Sequence, residues 1–243
     1  LTLTVSAFSS ASAPQLPANA LVSSFDISRN GGSGTQITLN IKPGETLGGY
    51  YVEKTATGLE LKIRRKAVVK NQSQPLGGIT IILDPGHGGT DPGAIGPLGW
   101  AYAEKDINLS LAHKLQSELE SLGARVYLTR DSDINLSLDD RLSMSRLMLP
   151  DLFISLHANS MPDNVDISKV DGFSVWYREQ LAAPLVELLY DHVTSSLHRT
   201  GKGMHVRNFY VTRGTWAPSI LLETGFVPNP QEFEWLTDEE EQT

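Results

Sequence analysis

The chain has 243 residues, and its 20 Lys and Arg against 28 Asp and Glu give a formal net charge of −8. Nucleic-acid binders need clustered cations to neutralise phosphates, so this charge balance argues against a nucleic-acid partner. No run approaches the roughly 18 apolar residues that a membrane-spanning helix needs. There are no cysteines, which excludes disulfides and thiolate metal ligands.

Residues 1–76 are predicted to be a β-rich or partly disordered segment that ends in a linker. Apolar and polar residues alternate in 36–41 and 59–63, as is typical of half-buried strands. The run Ala11-Ser12-Ala13 is interpreted as part of a disordered or strand-forming start, with a remnant of an export signal as the alternative. Residues 71–75 have the composition of a linker.

From residue 77 to 243 the pattern alternates between strands and helices. Short apolar runs predict strands at 79–83, 125–129, 152–156, 172–177 and 219–222. Apolar stripes predict helices at 104–122 and 182–200, and a capping-box pattern at Ser137 predicts another that ends at Pro150. The expected fold class is α/β, with a mostly parallel twisted sheet and helices on both faces. An N-cap pattern at 237–240 predicts a further helix that is cut short at the C-terminus.

Four polar residues lie near the predicted carboxyl ends of strands, where open α/β sheets bind ligands. His87 follows the first strand, Glu104 begins the next helix, and His157 and Glu223 end later strands. Two imidazoles and a carboxylate suit Zn²⁺ and leave a fourth position for water, so His87, Glu104 and His157 are candidate ligands. Glu223 is then the candidate acid and base. The spacing alone is not a zinc signature, and either histidine by itself is better explained as a capping or hydrogen-bonded structural residue.

Six sequence segments, taken in chain order, make the interpretation as a zinc enzyme more specific. They read ILDPGHGGTDPGAIG, EKDINLSLAHKL, GARVYLTRDSD, LDDR, DLFISLHANS and ILLETGF. Together they resemble the N-acetylmuramoyl-L-alanine amidases of the Amidase_3 type, over about residues 79–236. The resemblance implies that His87, Glu104 and His157 bind zinc and that Glu223 is the catalytic residue. Residues 1–76 are interpreted as resembling the end of an AMIN domain, a β-rich wall-targeting module.

The resemblance implies hydrolysis of the amide between the lactyl group of N-acetylmuramic acid and L-alanine in peptidoglycan. It also implies an exported monomer, in the periplasm or cell wall, that remodels wall or splits septa with wall-targeting or divisome partners. Some relatives insert a regulatory helix that plugs the zinc site, but residues 161–171 are too short for one. The groove is therefore expected to be open.

Two other functions fit the same polar residues. The zinc ligands alone would equally suit a peptidase or a deacetylase, and only the resemblance favours the amidase. A wall-binding module without activity is disfavoured because all three ligands and Glu223 are present.

Several further residues have structural interpretations that compete with functional ones. Arg141 is predicted to form an ion pair, with peptide carboxylate binding as the alternative. The histidines in helices are predicted to be exposed, whereas His205 is a candidate groove residue. Trp100 and Trp216 are candidates either for a substrate groove or for closing the core. The histidines in question are His113, His192 and His198.

Overall fold

The computed structural model describes residues 2–5, 16, 20–30, 34–56, 58–68, 73–162 and 164–238. It divides into two compact units, residues 1–66 and 67–243. The predicted small-residue run at 11–13, part of the predicted linker (71 and 72) and the end of the predicted C-terminal helix (239 and 240) lie outside the described residues.

The first unit is built from antiparallel strands. Its elements are β1 (Thr2–Val5), β2 (Val22–Asn30), β3 (Gly34–Ile41), β4 (Leu47–Lys54) and β5 (Leu59–Arg65). One sheet has the order β1-β3-β2, and β4 pairs with β5 as a separate hairpin. The predicted alternation in 36–41 and 59–63 is confirmed, since these residues lie in β3 and β5.

The second unit contains the strands and helices that position the candidate site. Its elements in chain order are β6 (Thr80–Pro85), β7 (Ile95–Gly96), β8 (Gly99–Ala103), α1 (Glu104–Ser121), β9 (Arg125–Leu128), α2 (Leu138–Met148), β10 (Leu152–Asn159), β11 (Phe173–Tyr177), α3 (Ala183–Ser196), β12 (Gly201–Val206), β13 (Ser219–Phe226) and α4 (Pro230–Thr237).

The central sheet has the strand order β12-β11-β13-β10-β6-β9. Strands β9, β6, β10 and β13 run parallel, so their carboxyl ends meet at one edge. Strand β11 runs antiparallel to β13, and β12 runs parallel to β11. The predicted mostly parallel sheet is confirmed.

Helices cover both faces of this sheet, as predicted. Helices α1 and α3 pack on one face, where Ala112 and Val186 are buried against Leu83, Leu156 and Ile220. Helix α2 covers the other face, and its Met144 and Met148 pack on the buried side chains of Ile82, Phe153 and Leu221. A strand places alternate side chains on opposite faces, which explains why neighbouring residues such as Ile82 and Leu83 belong to different cores.

Helix α2 begins at the predicted capping box. The Ser137 hydroxyl accepts from the Asp140 backbone N–H at 3.1 Å, and the Asp140 carboxylate accepts from the Ser137 N–H at 3.2 Å. Two of the four unpaired donors at the helix start are thereby satisfied. The cap therefore fixes the residue at which α2 begins.

Three expectations about element boundaries are wrong. Thr237 ends helix α4 instead of starting a helix, and α4 is capped by the side chain of Asn229. Strands β10 and β13 run three and four residues beyond the predicted ends, so His157 and Glu223 lie within strands. Helix α3 ends at Ser196, because the chain turns there to form β12, a strand that the sequence pattern did not reveal.

Candidate metal centre

Three of the predicted residues converge at the carboxyl edge of the sheet. Potential ligand atoms of His87, Glu104 and His157 all lie within 4.8 Å of one another. Glu104 Oε1 is 3.1 Å from His87 Nε2 and 3.0 Å from His157 Nδ1. The two imidazole rings meet edge to face, with centroids 4.8 Å apart. The sequence interval of 70 residues between the two histidines is closed by the parallel pairing of β6 with β10.

His87 is presented by a sharp turn directly after β6. Its φ of 61° lies in the left-handed region, where a residue other than glycine is uncommon and worth explaining. Gly86, beside it, lies under the His157 ring, which a Cβ would meet at 2.3–2.6 Å. Gly86 therefore admits close packing of the turn against the His157 imidazole.

Two buried arginines hold this turn from behind. Arg130 donates to the carbonyls of Pro85 at 3.0 Å and Gly86 at 2.9 Å. Arg141 donates to the carbonyls of Pro85 at 2.7 Å and His87 at 2.6 Å. Because buried carbonyls need partners, these bonds stabilise a backbone conformation that would otherwise be unfavourable.

Arg141 is an ion-pair residue, as predicted. Its guanidinium lies 2.7 Å from the carboxylate of Asp84, and both side chains are almost wholly buried. Asp84 also accepts from Thr129 at 2.6 Å and Ser155 at 2.7 Å. The buried pair is thus compensated by neighbouring donors, which a buried charge requires.

Glu104 is a buried carboxylate at the first residue of α1, where the helix dipole favours negative charge. Oε1 accepts from the Ala158 N–H at 3.0 Å and the Asn108 amide at 3.2 Å, and Oε2 accepts from the Ala94 N–H at 2.9 Å. Burial raises the pKa of Glu104, but hydrogen bonds from His157 and His87 outweigh it and hold the pKa far below its usual range. Glu104 is therefore an anion at all physiological pH values.

His87 is oriented by a carboxylate that the sequence interpretation missed. Its Nδ1 lies 2.8 Å from Asp91 Oδ2, which leaves Nε2 directed at Glu104. Burial lowers the pKa of His87. Hydrogen bonds and charge attraction from Glu104 and Asp91 have the larger effect and raise this pKa to about 9. A carboxylate on the second ring nitrogen is the usual partner of a metal-ligating histidine, so the TD pair after GHGG was the available signal.

Glu223 lies on β13 directly opposite His157 on β10. Among the described residues, none donates a hydrogen bond to its buried Oε2 atom. Burial raises the pKa of Glu223 to about 7; attraction to His157 opposes this shift, and the negative charge of Glu104 adds to it. A buried carboxylate without a partner, whose pKa lies near neutrality, is typical of a group that exchanges protons.

A groove of about 540 Å³ opens over these residues. Its floor includes Leu221 and Glu223, which point to the same face of β13 because they are two positions apart. One wall is the start of α2, from Leu136 to Arg141, and the other is Phe209 to Val211. His87 and His157 lie at the floor of the same groove and are partly exposed, so these two histidines and Glu223 face a space that solvent can enter, whereas Glu104 is buried behind them.

The other candidate residues from the sequence divide into core residues and residues that are at least partly exposed. Trp216 is a core residue whose indole donates to Ser145, whereas Trp100 is 76% exposed. His205 lies in β12 and stacks on Trp176 with ring centroids 4.2 Å apart, and it is not among the residues that line the groove. His113, His192 and His198 are exposed, as predicted. The helical prediction is wrong for His198, which lies beyond the end of α3 with a φ of 53°.

The donor set fits a zinc ion. Ligands bound at 2.0–2.2 Å in a tetrahedron lie roughly 3.3–3.6 Å apart, close to the spacing of Glu104 Oε1 from the two imidazole nitrogens. Oxygen and imidazole ligands on three residues suit a divalent metal of zinc type. The buried negative charge of Glu104 would be balanced by such an ion without protonating either histidine.

The sequence profile of N-acetylmuramoyl-L-alanine amidases of the Amidase_3 family matches residues 81–243. The chain belongs to this family. The matched range contains every residue of the cluster and Glu223, and it begins inside β6.

Relatives with known names support the same membership. "Probable cell wall amidase LytH" of Staphylococcus saprophyticus is 36% identical over 166 residues, which cover 68% of this chain and 54% of the relative. The chain thus spans about half the length of the curated relatives it matches.

Solved structures of amidases share the fold of the second unit. The catalytic domain of CwlV from Bacillus (Paenibacillus) polymyxa var. colistinus has a TM-score of 0.62 and 31% identity, and the match covers 68% of this chain and 89% of that one. The CwlD amidase of Clostridioides difficile, solved in complex with the GerS lipoprotein, has a TM-score of 0.61 and 31% identity, over 68% of this chain and 90% of that one.

Proposed function

We propose that this protein is a zinc-dependent hydrolase that cleaves the amide between the lactyl group of N-acetylmuramic acid and L-alanine in peptidoglycan. The convergence of His87, Glu104 and His157 beside the unpartnered carboxylate of Glu223 carries the proposal. The family and the amidase structures support the substrate class, which the polar residues alone do not define.

His87, Glu104 and His157 would hold the zinc ion. When bound, zinc supplies Lewis-acid polarisation of the scissile carbonyl and acidifies water. Asp91 keeps the Nδ1 proton of His87 in place, so that Nε2 presents its lone pair. Arg130 and Arg141 fix the backbone that carries this imidazole.

Glu223 would take the proton of the attacking water and pass it to the departing nitrogen of L-alanine. Its pKa of about 7 suits both steps, because the carboxyl is available in both forms near neutral pH. Its buried Oε2 atom accepts no hydrogen bond within the described residues, so no protein donor there holds the carboxyl in its charged form.

We also propose that substrate enters the groove without displacing a helix. In the described part of 161–171, all but residue 163, the regular structure is limited to a three-residue 3₁₀ turn at Ile167–Lys169. The groove is lined by both histidines and Glu223. Activity should then need no added activating protein.

Digestion of purified peptidoglycan tests the reaction. With zinc, the protein is expected to release stem peptides that begin with free L-alanine and to leave lactyl carboxylates on intact glycan strands, as mass spectrometry would show. Cleaved cross-bridges would instead indicate a peptidase, and released acetate a deacetylase. Either of these product patterns without free L-alanine termini would overturn the proposal.

Zinc binding is expected to release about one proton at pH 7. His87, with a pKa of about 9 in the metal-free protein, is protonated at that pH, whereas a ligating imidazole must be neutral. The release should fall towards zero as the pH rises above about 9. Calorimetric titration with zinc in buffers of different ionisation enthalpy measures it, with His113→Ala as the matched control. A release that does not change between pH 7 and pH 10 would contradict this assignment.

The substrate places the proposed activity outside the cytoplasmic membrane, so we propose an exported protein of the periplasm or cell wall. Of the helices in the described residues, none is long and apolar enough to cross a bilayer. Residues 1–76 are proposed to be a β-rich wall-targeting segment of the AMIN type, and residues 77–243 the catalytic domain. We further propose that the protein is a monomer with wall-targeting or divisome partners. Its role would be wall remodelling or septal splitting.

A further inference from the structure

We propose that Arg213 binds a carboxylate of the stem peptide and so selects acidic peptides; this inference rests on the proposed amidase function. Arg213 ends the 3₁₀ turn at Val211–Arg213, directly after the groove wall formed by Phe209 to Val211. Its side chain is exposed, beside a groove that leads to Glu223.

The groove offers no free arginine or lysine of its own. Among the described residues that line it, Arg141 is the one arginine or lysine. Arg141 is neutralised by Asp84 at 2.7 Å. A peptide carboxylate that lies away from the metal centre would therefore find no available arginine or lysine in the groove lining itself.

Arg213 is held in place by groups that leave its charge available. Its Nε donates to Asn208 Oδ1 at 2.9 Å, and its guanidinium lies over the Tyr210 ring, 4.8 Å from the centroid. The Tyr210 hydroxyl in turn donates to Asp139 at 3.0 Å, at the start of the opposite wall. No ion pair joins Arg213 to a carboxylate in the part of the chain that the structure describes.

This arrangement suits a carboxylate. The contact with Asn208 occupies Nε, which leaves the outer edge of the guanidinium, with Nη1 and Nη2, for a two-pronged contact with two oxygens. Because the ring and Asn208 fix the plane of the group beforehand, less side-chain entropy is lost on binding. The peptide portion of the substrate extends from the scissile amide and provides the carboxylates.

The test compares two muramoyl-L-alanyl peptides, one with free carboxylates on the residues after alanine and one with carboxamides there. Loss of a charged hydrogen bond changes affinity by about 10- to 100-fold. The zinc-loaded protein is therefore expected to favour the carboxylate peptide by at least about 10-fold in kcat/KM. Arg213→Gln should bring that ratio close to one, mainly through a higher KM for the carboxylate peptide.

Arg125→Gln is the matched control. Arg125 is also exposed, but it lies at the start of β9, at the opposite edge of the sheet from the groove. It should keep the wild-type ratio, and Arg213→Lys should keep part of it, since lysine retains the charge without the planar fork. Equal cleavage of both peptides by the wild type, or an unchanged ratio in Arg213→Gln, would overturn the inference while leaving the amidase proposal intact. Failure to cleave either peptide would overturn both.

Discussion

Replacing Glu223 with Gln is expected to slow the release of stem peptides by about 10²- to 10⁴-fold while bound zinc stays unchanged. That range is the usual contribution of a positioned general acid and base. Glutamine has nearly the same shape but cannot accept a proton at neutral pH. Since Glu223 lies outside the cluster of candidate ligands, the metal should remain bound. Rates on purified peptidoglycan and zinc content by elemental analysis measure the two quantities.

Glu187→Gln provides the control for this substitution. Glu187 is an exposed residue of α3, on the face of the sheet that carries α1 and α3, away from the groove. It should retain wild-type activity and zinc. Undiminished activity of Glu223→Gln would remove Glu223 from the mechanism, and a parallel loss of zinc would make it a ligand instead of a base.

The position of Glu223 shows what the sequence could predict. A β-branched and apolar run before Glu223, and a similar run before His157, were enough to predict two strands of a mostly parallel sheet. Parallel pairing then brings residues of similar register to one edge, and His157 and Glu223 are direct partners. The two strands are longer than predicted, because each continues past its polar residue, His157 or Glu223, into further residues that are mostly buried. The convergence was predictable, but the exact ends of the strands were not.

Other features depend on contacts that local patterns do not contain. Arg130 gives no local signal of its role, since its partners Pro85 and Gly86 are more than 40 residues away and are backbone carbonyls. Helix α4 is short, and its start is marked only by the Asn229 cap and Pro230. β12 lies at the edge of the sheet and alternates weakly, so its pairing with β11 defines it better than its composition does.

The buried network behind His87 links these missed residues to the proposed chemistry. Asp84, Arg141 and Arg130 occupy the interior beneath the turn, and each carbonyl from Pro85 to His87 accepts from at least one of the two arginines. A turn with a left-handed histidine is thus fixed by the fold before any ion binds. Such preorganisation lowers the cost of bringing three ligands from distant parts of the chain to one point.

Substituting either candidate histidine ligand should abolish stable zinc binding. Removal of a partner outside the ligand shell costs about 10- to 100-fold in metal affinity, so His87→Ala and His157→Ala should each lose more than about 100-fold. Asp91→Asn, which removes only the carboxylate beside His87 Nδ1, should fall in the 10- to 100-fold range. Competition with a chromogenic chelator at pH 7.5 measures all three.

Thermal unfolding separates metal binding from a general loss of structure. An ion that binds the folded chain at about 1,000 times its Kd stabilises it by about 4 kcal/mol. Zinc should therefore raise the Tm of the wild type and of His113→Ala, whose imidazole is exposed on α1, but not that of either ligand variant. The metal-free Tm of His157→Ala should itself be lower, because the buried carboxylate of Glu104 loses a hydrogen-bond partner, so each variant is compared with and without zinc. Retention of zinc by both ligand variants would defeat the assignment of this centre, because the geometry assigns both imidazoles beside Glu104 as ligands of the ion.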